Sequence, residues 1–220
     1  MFFLPIGCLI FVLFILFLPI LFFLGYFHVI TWGFEKLGIS SEITLILLLM
    51  ILFGSAVNIP LGRQKLFRVE ESKFFGLWKT PKIQARGIFI NFGGAVVPIL
   101  LSFYFIFTIW KNGFDLQPVL IATLLMIVLS KFLARIVPNV GISIPTLVPP
   151  IFSAIFAMIL APQYAAVCAF VAGTLGVLVG ADILNLRRII KTGGSVSIGG
   201  AGVFDGIFLV GIVSALLAGF

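Results

Sequence analysis

Long apolar runs limit the folds open to this chain more strongly than any other feature. The first run, MFFLPIGCLIFVLFILFLPILFFLGYF, covers residues 1–27 without a charged residue. Hydrophobic residues make up 62% of the chain and the mean hydropathy is +1.31, which is more apolar surface than a water-soluble domain can bury. Backbone groups in lipid need internal partners, and the runs lack the alternation of barrel strands. The sequence therefore predicts membrane-spanning helices.

We predict an all-α protein, a polytopic transmembrane helical bundle of about seven spans that forms a single transmembrane domain over residues 1–220. A span needs about 20 predominantly apolar residues. On that rule the spans are predicted at residues 3–27, 43–60, 88–110, 118–134, 144–161, 163–186 and 203–219.

The basic residues predict the orientation of the spans. The formal net charge is +7, and the cations gather in the link 61–87, in the corner 131–135 and in the link 187–202. Short basic links stay on the cytoplasmic side, so we expect an inner-membrane protein with its N-terminus inside and its C-terminus outside. The 61–87 link mixes cations with aromatic residues and is predicted to lie on the anionic leaflet, with the lipid bilayer rather than nucleic acid as its partner. The 187–202 link is predicted to be a Gly-rich cytoplasmic hairpin.

Two aspartates stand inside apolar segments of a chain with few acids. Asp182 lies five residues before Arg187, near the end of its predicted span, and Asp205 lies near the start of the next span. Helices joined by a short link are usually antiparallel neighbours, so the carboxylates could meet at similar depth. Two carboxylates at one site share a proton, and such a pair can activate water and polarise a carbonyl. The chemistry of such a pair would be hydrolysis of a peptide bond brought into the membrane.

Other interpretations of the aspartates remain open at this stage. Asp182 could form an ion pair with Lys131 or Arg135, and Asp205 could cap its own helix. Alternatively, both could bind a proton or cation in a small transporter or channel, because broken helices with polar residues often line such paths. That ion path would include Asn91, Asn139, Lys131 and Arg135. A non-enzymatic scaffold that binds partner helices through small residues is the third possibility.

The glycines before Asp205 also have two interpretations. Gly199, Gly200 and Gly202 could form a flexible segment that admits an extended substrate strand, or they could allow close helix packing. The single His28 and the isolated cysteines lack the spacing of a metal site, so no metal or organic cofactor is expected.

Four motifs resemble a prokaryotic membrane-protein family known as domain of unknown function 1614. They are INFGGAVVPILLS, PNVGISIPTLVPP, GADILNL and, most specifically, GGAGVFDGIFLVG, and together they cover roughly residues 55–220. The resemblance implies a multi-spanning bacterial or archaeal protein, and the family name carries no activity.

A looser resemblance is to the intramembrane aspartyl proteases, the presenilin-like and prepilin-peptidase group. These enzymes carry one aspartate on one helix and a second in a Gly-x-Gly-Asp motif on the next. Here GVFD retains Gly202 and has Phe204 in place of the second glycine. The segment Pro145, Thr146, Leu147 is similar to the Pro-Ala-Leu element of presenilins, although it precedes both aspartates. The resemblance implies a catalytic pair of Asp182 and Asp205, a substrate-binding wall at 145–147 and transmembrane-helix substrates.

Overall fold

A computed structural model describes residues 25, 28–62, 65–73, 78–137, 141–186, 188, 196–200 and 206–219. Most of these residues are helical, as predicted. Seven α-helices lie within the described ranges: α1 (His28–Lys36), α2 (Ser41–Gly54), α3 (Val97–Lys111), α4 (Gln117–Leu133), α5 (Val148–Leu160), α6 (Ala165–Val177) and α7 (Gly206–Ala218). Two π-helical segments extend this set: Phe92–Val96 leads into α3, and Leu178–Ile183 continues α6.

The described residues also form three small sheets, so the all-α prediction is wrong in this respect. The strands are β1 (Asn58–Pro60), β2 (Lys65–Lys73), β3 (Trp78–Arg86), β4 (Ile88–Asn91), β5 (Arg135–Val137), β6 (Gly141–Ser143) and β7 (Val196–Ile198). One sheet has the order β1-β4-β7, and the pairs β2-β3 and β5-β6 form the other two. Counting apolar residues extended the predicted helices over 58–60 and 88–91 because such runs do not distinguish a short buried strand from a helix end.

Within the part of the chain that the structure describes, two helices are long and apolar enough to cross a membrane. They are Phe92–Lys111 and Pro162–Ile183. A third span results if the pair His28–Lys36 and Ser41–Gly54, bent by 114°, counts as one broken span. Three further apolar helices, Gln117–Leu133, Val148–Leu160 and Leu209–Ala218, are shorter. The first predicted span, 3–27, lies outside the described residues except for Gly25.

The outer faces of the helices carry large apolar side chains, and their mainly apolar inner faces also hold small polar ones. On α3, Phe103, Phe107 and Trp110 are all more than half exposed. Six hydroxyl residues on the described helices are fully buried instead: Thr44, Ser102, Ser130, Ser153, Thr174 and Ser214. Extended apolar surface of this kind is unfavourable in water and ordinary in lipid. These exposed apolar faces are compatible with helices that cross a membrane.

Helix α6 lies at the centre of the bundle and packs against α3, α4, α5 and α7. Its glycines allow its neighbours to approach the backbone. A Cβ atom built on Gly176 would lie 2.3 Å from Cβ of Met126, and one on Gly180 would lie 2.4 Å from the Ile127 carbonyl oxygen. Glycines four residues apart form a flat helix surface, which membrane helices use for close packing.

The two ends of the helix bundle are formed by different structures. Helix α2 ends and the Phe92–Lys111 helix begins beside the β1-β4-β7 sheet. At the opposite end, Lys36 Nζ donates to the Gly219 carbonyl oxygen at 2.9 Å, and the Tyr164 hydroxyl donates to the carbonyl of Asp115. The sheet end therefore carries the long polar segment between α2 and α3.

We expect Gly176→Leu to destabilise the protein. The added side chain would enter space occupied by Met126, and overpacking of this kind costs about 1–3 kcal/mol. The free energy of unfolding in bicelles, measured by SDS titration, reports the effect. Gly25→Leu is the matched control, because a Cβ atom at Gly25 meets no atom within 4 Å. Equal stability of the two variants would contradict the proposed packing of α4 on α6.

Candidate functional site

Asp182 lies in the π-helical segment Leu178–Ile183 at the sheet end of α6. Its side chain is half-buried, and its Oδ2 atom accepts a hydrogen bond of 3.1 Å from the backbone N–H of Gly199. A π-helical turn widens the helix and is frequent at functional sites. The carboxylate of Asp182 is thus held against the segment that precedes Asp205 in the sequence. Asp205, Gly202 and Asn139 lie outside the described residues.

The widened turn of α6 has its own supporting contact. The side chain of Asn185 is 5% exposed, and its Nδ2 atom donates to the carbonyl oxygens of Gly180 (3.3 Å) and Ala181 (2.9 Å). A carbonyl that a π-helical turn displaces from regular pairing needs another donor when it is buried. Asn185 therefore stabilises the backbone that carries Asp182.

Gly199 brings two elements into close contact. Its φ of +67° lies in the left-handed region that favours glycine. A Cβ atom at this position would lie 2.4 Å from Cβ of Ala95, which belongs to the π-helical segment Phe92–Val96. Gly199 thus lies between the two π-helical segments, with its N–H directed at Asp182. A larger residue would separate them.

A second polar group adjoins Gly199 and Gly200. The side chain of Asn91 is 2% exposed, and its Nδ2 atom donates to the carbonyl of Ser55 (2.7 Å) and to Oδ1 of Asn58 (3.1 Å). The same Asn58 oxygen accepts from Oγ of Ser197 at 2.6 Å. A Cβ atom on Gly200 would lie 2.4 Å from Oγ of Ser197.

We call these residues the polar junction: Asn58, Asn91, Asp182, Ser197, Gly199 and Gly200. The β1-β4-β7 sheet aligns them. Strand β1 pairs antiparallel with β4, with Asn58 opposite Asn91, and β7 pairs parallel with β4, with Ile198 opposite Ile90. Strand β7 lies at the edge of this sheet in the part of the chain that the structure describes. Asn91 also ends β4, and its Oδ1 atom accepts from the Gly94 N–H at 2.8 Å, which caps the following π-helical segment.

The other predicted site residues in the described ranges contribute none of the hydrogen bonds given above. Lys131, near the end of α4, and Arg135, at the start of β5, are both exposed. Pro145, Thr146 and Leu147 are exposed in the connection between β6 and α5, and Leu147 is 67% exposed. Among the described residues, no group of three or more His, Cys, Asp or Glu side chains could hold a metal ion.

Asn58 and Ser197 were not predicted as site residues. They are 139 positions apart in the chain and meet only because both β1 and β7 flank β4. Their local sequences, SAVNIP and GSVSIGG, carry no motif that would connect them. The one available signal was that Asn58 and Asn91 both interrupt long apolar runs.

The family model described as "Protein of unknown function (DUF1614)" matches residues 52–217. The chain belongs to this family. The match confirms the resemblance predicted from four motifs over roughly residues 55–220, and it includes the whole polar junction. No curated protein and no solved structure is significantly similar to the chain.

We expect Gly199→Ala to displace β7 from Asp182. An L-residue in the left-handed region costs roughly 1–2 kcal/mol of stability. In this variant the added methyl group also overlaps with Ala95. Gly38→Ala is the matched control, since Gly38 has a φ of +77° and open space around its Cβ position. Thermal unfolding should show a larger loss for Gly199→Ala, partly restored by adding Ala95→Gly. Equal losses at the two positions would contradict the close contact.

We expect Asn91→Leu to destabilise the sheet end of the bundle. It removes one acceptor and two donor contacts at a buried position and leaves the Gly94 N–H without its side-chain partner, at a cost of about 1–3 kcal/mol. Asn112→Leu, at an exposed asparagine at the end of α3, is the control. Hydrogen exchange of the Gly94 amide should increase in Asn91→Leu alone. An unchanged exchange rate would show that the amide does not depend on Asn91.

Proposed function

We propose that the protein is an intramembrane aspartyl endopeptidase in which Asp182 and Asp205 form the catalytic pair. The observation that carries this proposal is the position of the Asp182 carboxylate. It lies at the end of a long apolar helix, hydrogen-bonded to the backbone directly after the edge strand β7. A carboxylate in a span is costly, and a role in chemistry accounts for its presence there.

The packing of α6 and α7 supports a meeting of the two aspartates. A Cβ atom on Gly211 of α7 would lie 2.4 Å from Oγ1 of Thr174 on α6, so these residues share one level of the bundle. Asp182 lies eight residues beyond Thr174, about 12 Å along a helix axis. Gly206 lies five residues before Gly211, about 7.5 Å, and Asp205 directly precedes Gly206 in the sequence. Because α6 and α7 run in opposite directions, Asp182 and the start of α7 at Gly206 lie toward the same end of the bundle.

The proposed chemistry needs one proton shared by two carboxylates. The ionised carboxylate removes a proton from water, whose oxygen attacks the peptide carbonyl carbon while the protonated carboxyl polarises the carbonyl oxygen. The tetrahedral intermediate then breaks its C–N bond, and the leaving amine takes the proton. The products are a carboxylate and an amine, and the reaction consumes one water molecule.

The position of β7 at a sheet edge is an argument for a peptide substrate. Backbone groups at a sheet edge can pair with an added extended strand, which is a common mode of peptide binding. Strand β7 ends at Ile198, next to the glycine that donates to Asp182. We propose that an unwound transmembrane substrate lies here, with Gly199, Gly200 and Gly202 shaping its entry and with Pro145, Thr146 and Leu147 as part of the wall.

We further propose a seven-span topology in the inner membrane with a cytoplasmic N-terminus and an external C-terminus. The two ends of the bundle support it. The sheet end carries the basic strands β2 and β3 together with Arg135, whereas Lys36 and Lys111 are the cations of the helix ends at the opposite side. An excess of cations marks the cytoplasmic side.

Two other functions rest on the same region. A proton- or cation-coupled transporter is favoured by the two π-helical segments that meet at the polar junction, because irregular helix backbone that lines a cavity is where transporters bind ions. A non-enzymatic scaffold would use the glycine surfaces of α6 to bind partner helices. Each makes a different prediction for the aspartate variants.

The deciding experiment is cleavage of fluorogenic single-span substrates by the protein in detergent micelles. Asp182→Asn and Asp205→Asn should each lower kcat by at least about 100-fold, the usual contribution of a general acid or base. Asp115→Asn is the matched control, because Asp115 is exposed at the opposite end of the bundle. Gel filtration and thermal unfolding establish that the variants fold.

The other outcomes separate the alternatives. Full cleavage by both variants would end the proposal of a catalytic pair. Absence of cleavage across a broad substrate panel, combined with proton or cation flux into liposomes that Asp182→Asn abolishes, would favour the transporter. Absence of both activities would favour the scaffold.

A further inference from the structure

The long polar segment between α2 and α3 forms an antiparallel hairpin of β2 and β3. Pairing runs without a break from Lys65 opposite Arg86 to Lys73 opposite Trp78. Alternate residues of a strand belong to opposite faces, and directly paired residues belong to the same face. The register therefore assigns every residue of the two strands to one of two faces.

The two faces differ in charge and in aromatic content. One face, which we call the cationic face, has four cations and one acid, and it also holds the two aromatic residues of the strands. Its pairs are Lys65–Arg86, Phe67–Gln84, Val69–Lys82, Glu71–Thr80 and Lys73–Trp78. The opposite face has two cations, one acid and no aromatic residue. Its pairs are Leu66–Ala85, Arg68–Ile83, Glu70–Pro81 and Ser72–Lys79.

The base of the hairpin is anchored at the ends of membrane helices. Only Gly87 separates β3 from β4, and β4 leads directly into the Phe92–Lys111 helix. On the other side, β1 follows α2 and pairs with β4. This short connection keeps the hairpin at the surface of the bilayer, where lipid headgroups are present at a high effective concentration.

We propose that the cationic face binds the phosphate headgroups of anionic lipids. Four cations with one acid match a negative leaflet, and aromatic residues such as Phe67 and Trp78 favour the interface between headgroups and acyl chains. The opposite face has a smaller net positive charge and no aromatic residue that could enter the interface. Acidic proteins and nucleic acids would also attract the cations, but neither is tethered next to the hairpin. The proposal is independent of the catalytic pair.

Trp78 provides a direct reporter of this contact. The chain has three tryptophans, so Trp32→Phe combined with Trp110→Phe leaves Trp78 as the single emitter. The full-length protein is placed in nanodiscs of phosphatidylcholine, alone or mixed with phosphatidylglycerol. We expect phosphatidylglycerol to shift the Trp78 emission to shorter wavelength and to increase its quenching by brominated lipid. High salt should reverse both changes, because it screens the headgroup charge.

Matched double variants test which face is responsible. Lys82→Gln with Arg86→Gln removes one lysine and one arginine from the cationic face, and Lys79→Gln with Arg68→Gln removes the same from the opposite face. The first should lower the ratio of bound to free hairpin by roughly five-fold per cation, and the second should leave it nearly unchanged.

Four results would overturn the proposal. Equal effects of both double variants would show that total charge, not one face, determines binding. No effect of either variant, or no response of Trp78 to phosphatidylglycerol, would show that the cationic face does not bind headgroups. A response to polyglutamate or RNA in phosphatidylcholine nanodiscs, without one to phosphatidylglycerol, would assign the face to an acidic protein or a nucleic acid instead.

Discussion

Close approach of helix backbones at α6 is the contact on which the rest of the bundle depends. In lipid, burying an apolar side chain between helices gains little over leaving it in contact with acyl chains, so association depends on packing and hydrogen bonds. Gly173, Gly176 and Gly180 remove side-chain bulk where α7, α5 and α4 approach. The surrounding helices can then place their large apolar residues outward.

The π-helical segments show how this packing accommodates irregular backbone. Carbonyl and N–H groups outside regular pairing are tolerated at membrane depth only where protein or water satisfies them. Asn185 supplies donors beside one segment, and Asn91 supplies both a donor and an acceptor beside the other. Both asparagines are buried. The hydrogen bonds of these asparagines stabilise the irregular backbone of the two segments, one of which carries Asp182.

The polar junction connects parts of the chain that are far apart in sequence. Strand β4 contributes Asn91, β1 contributes Asn58, and β7 contributes Ser197 with the following glycines. Because Gly199 donates to Asp182, a displacement of β7 would change the environment of the carboxylate. A substrate strand, an ion or a partner helix that displaces β7 would therefore act on Asp182 through Gly199. This coupling is common to each of the functions considered for the site.

The sequence alone determined the family and the mainly helical structure, because the four motifs are specific and long apolar runs favour helices. It also singled out Asp182 and Gly199, whose polar or flexible character stands out in apolar surroundings. It did not predict the β1-β4-β7 sheet or the partnership of Asn58 with Ser197. Strand pairing joins segments at distances that no local pattern encodes, and only the tertiary structure brings those polar groups together.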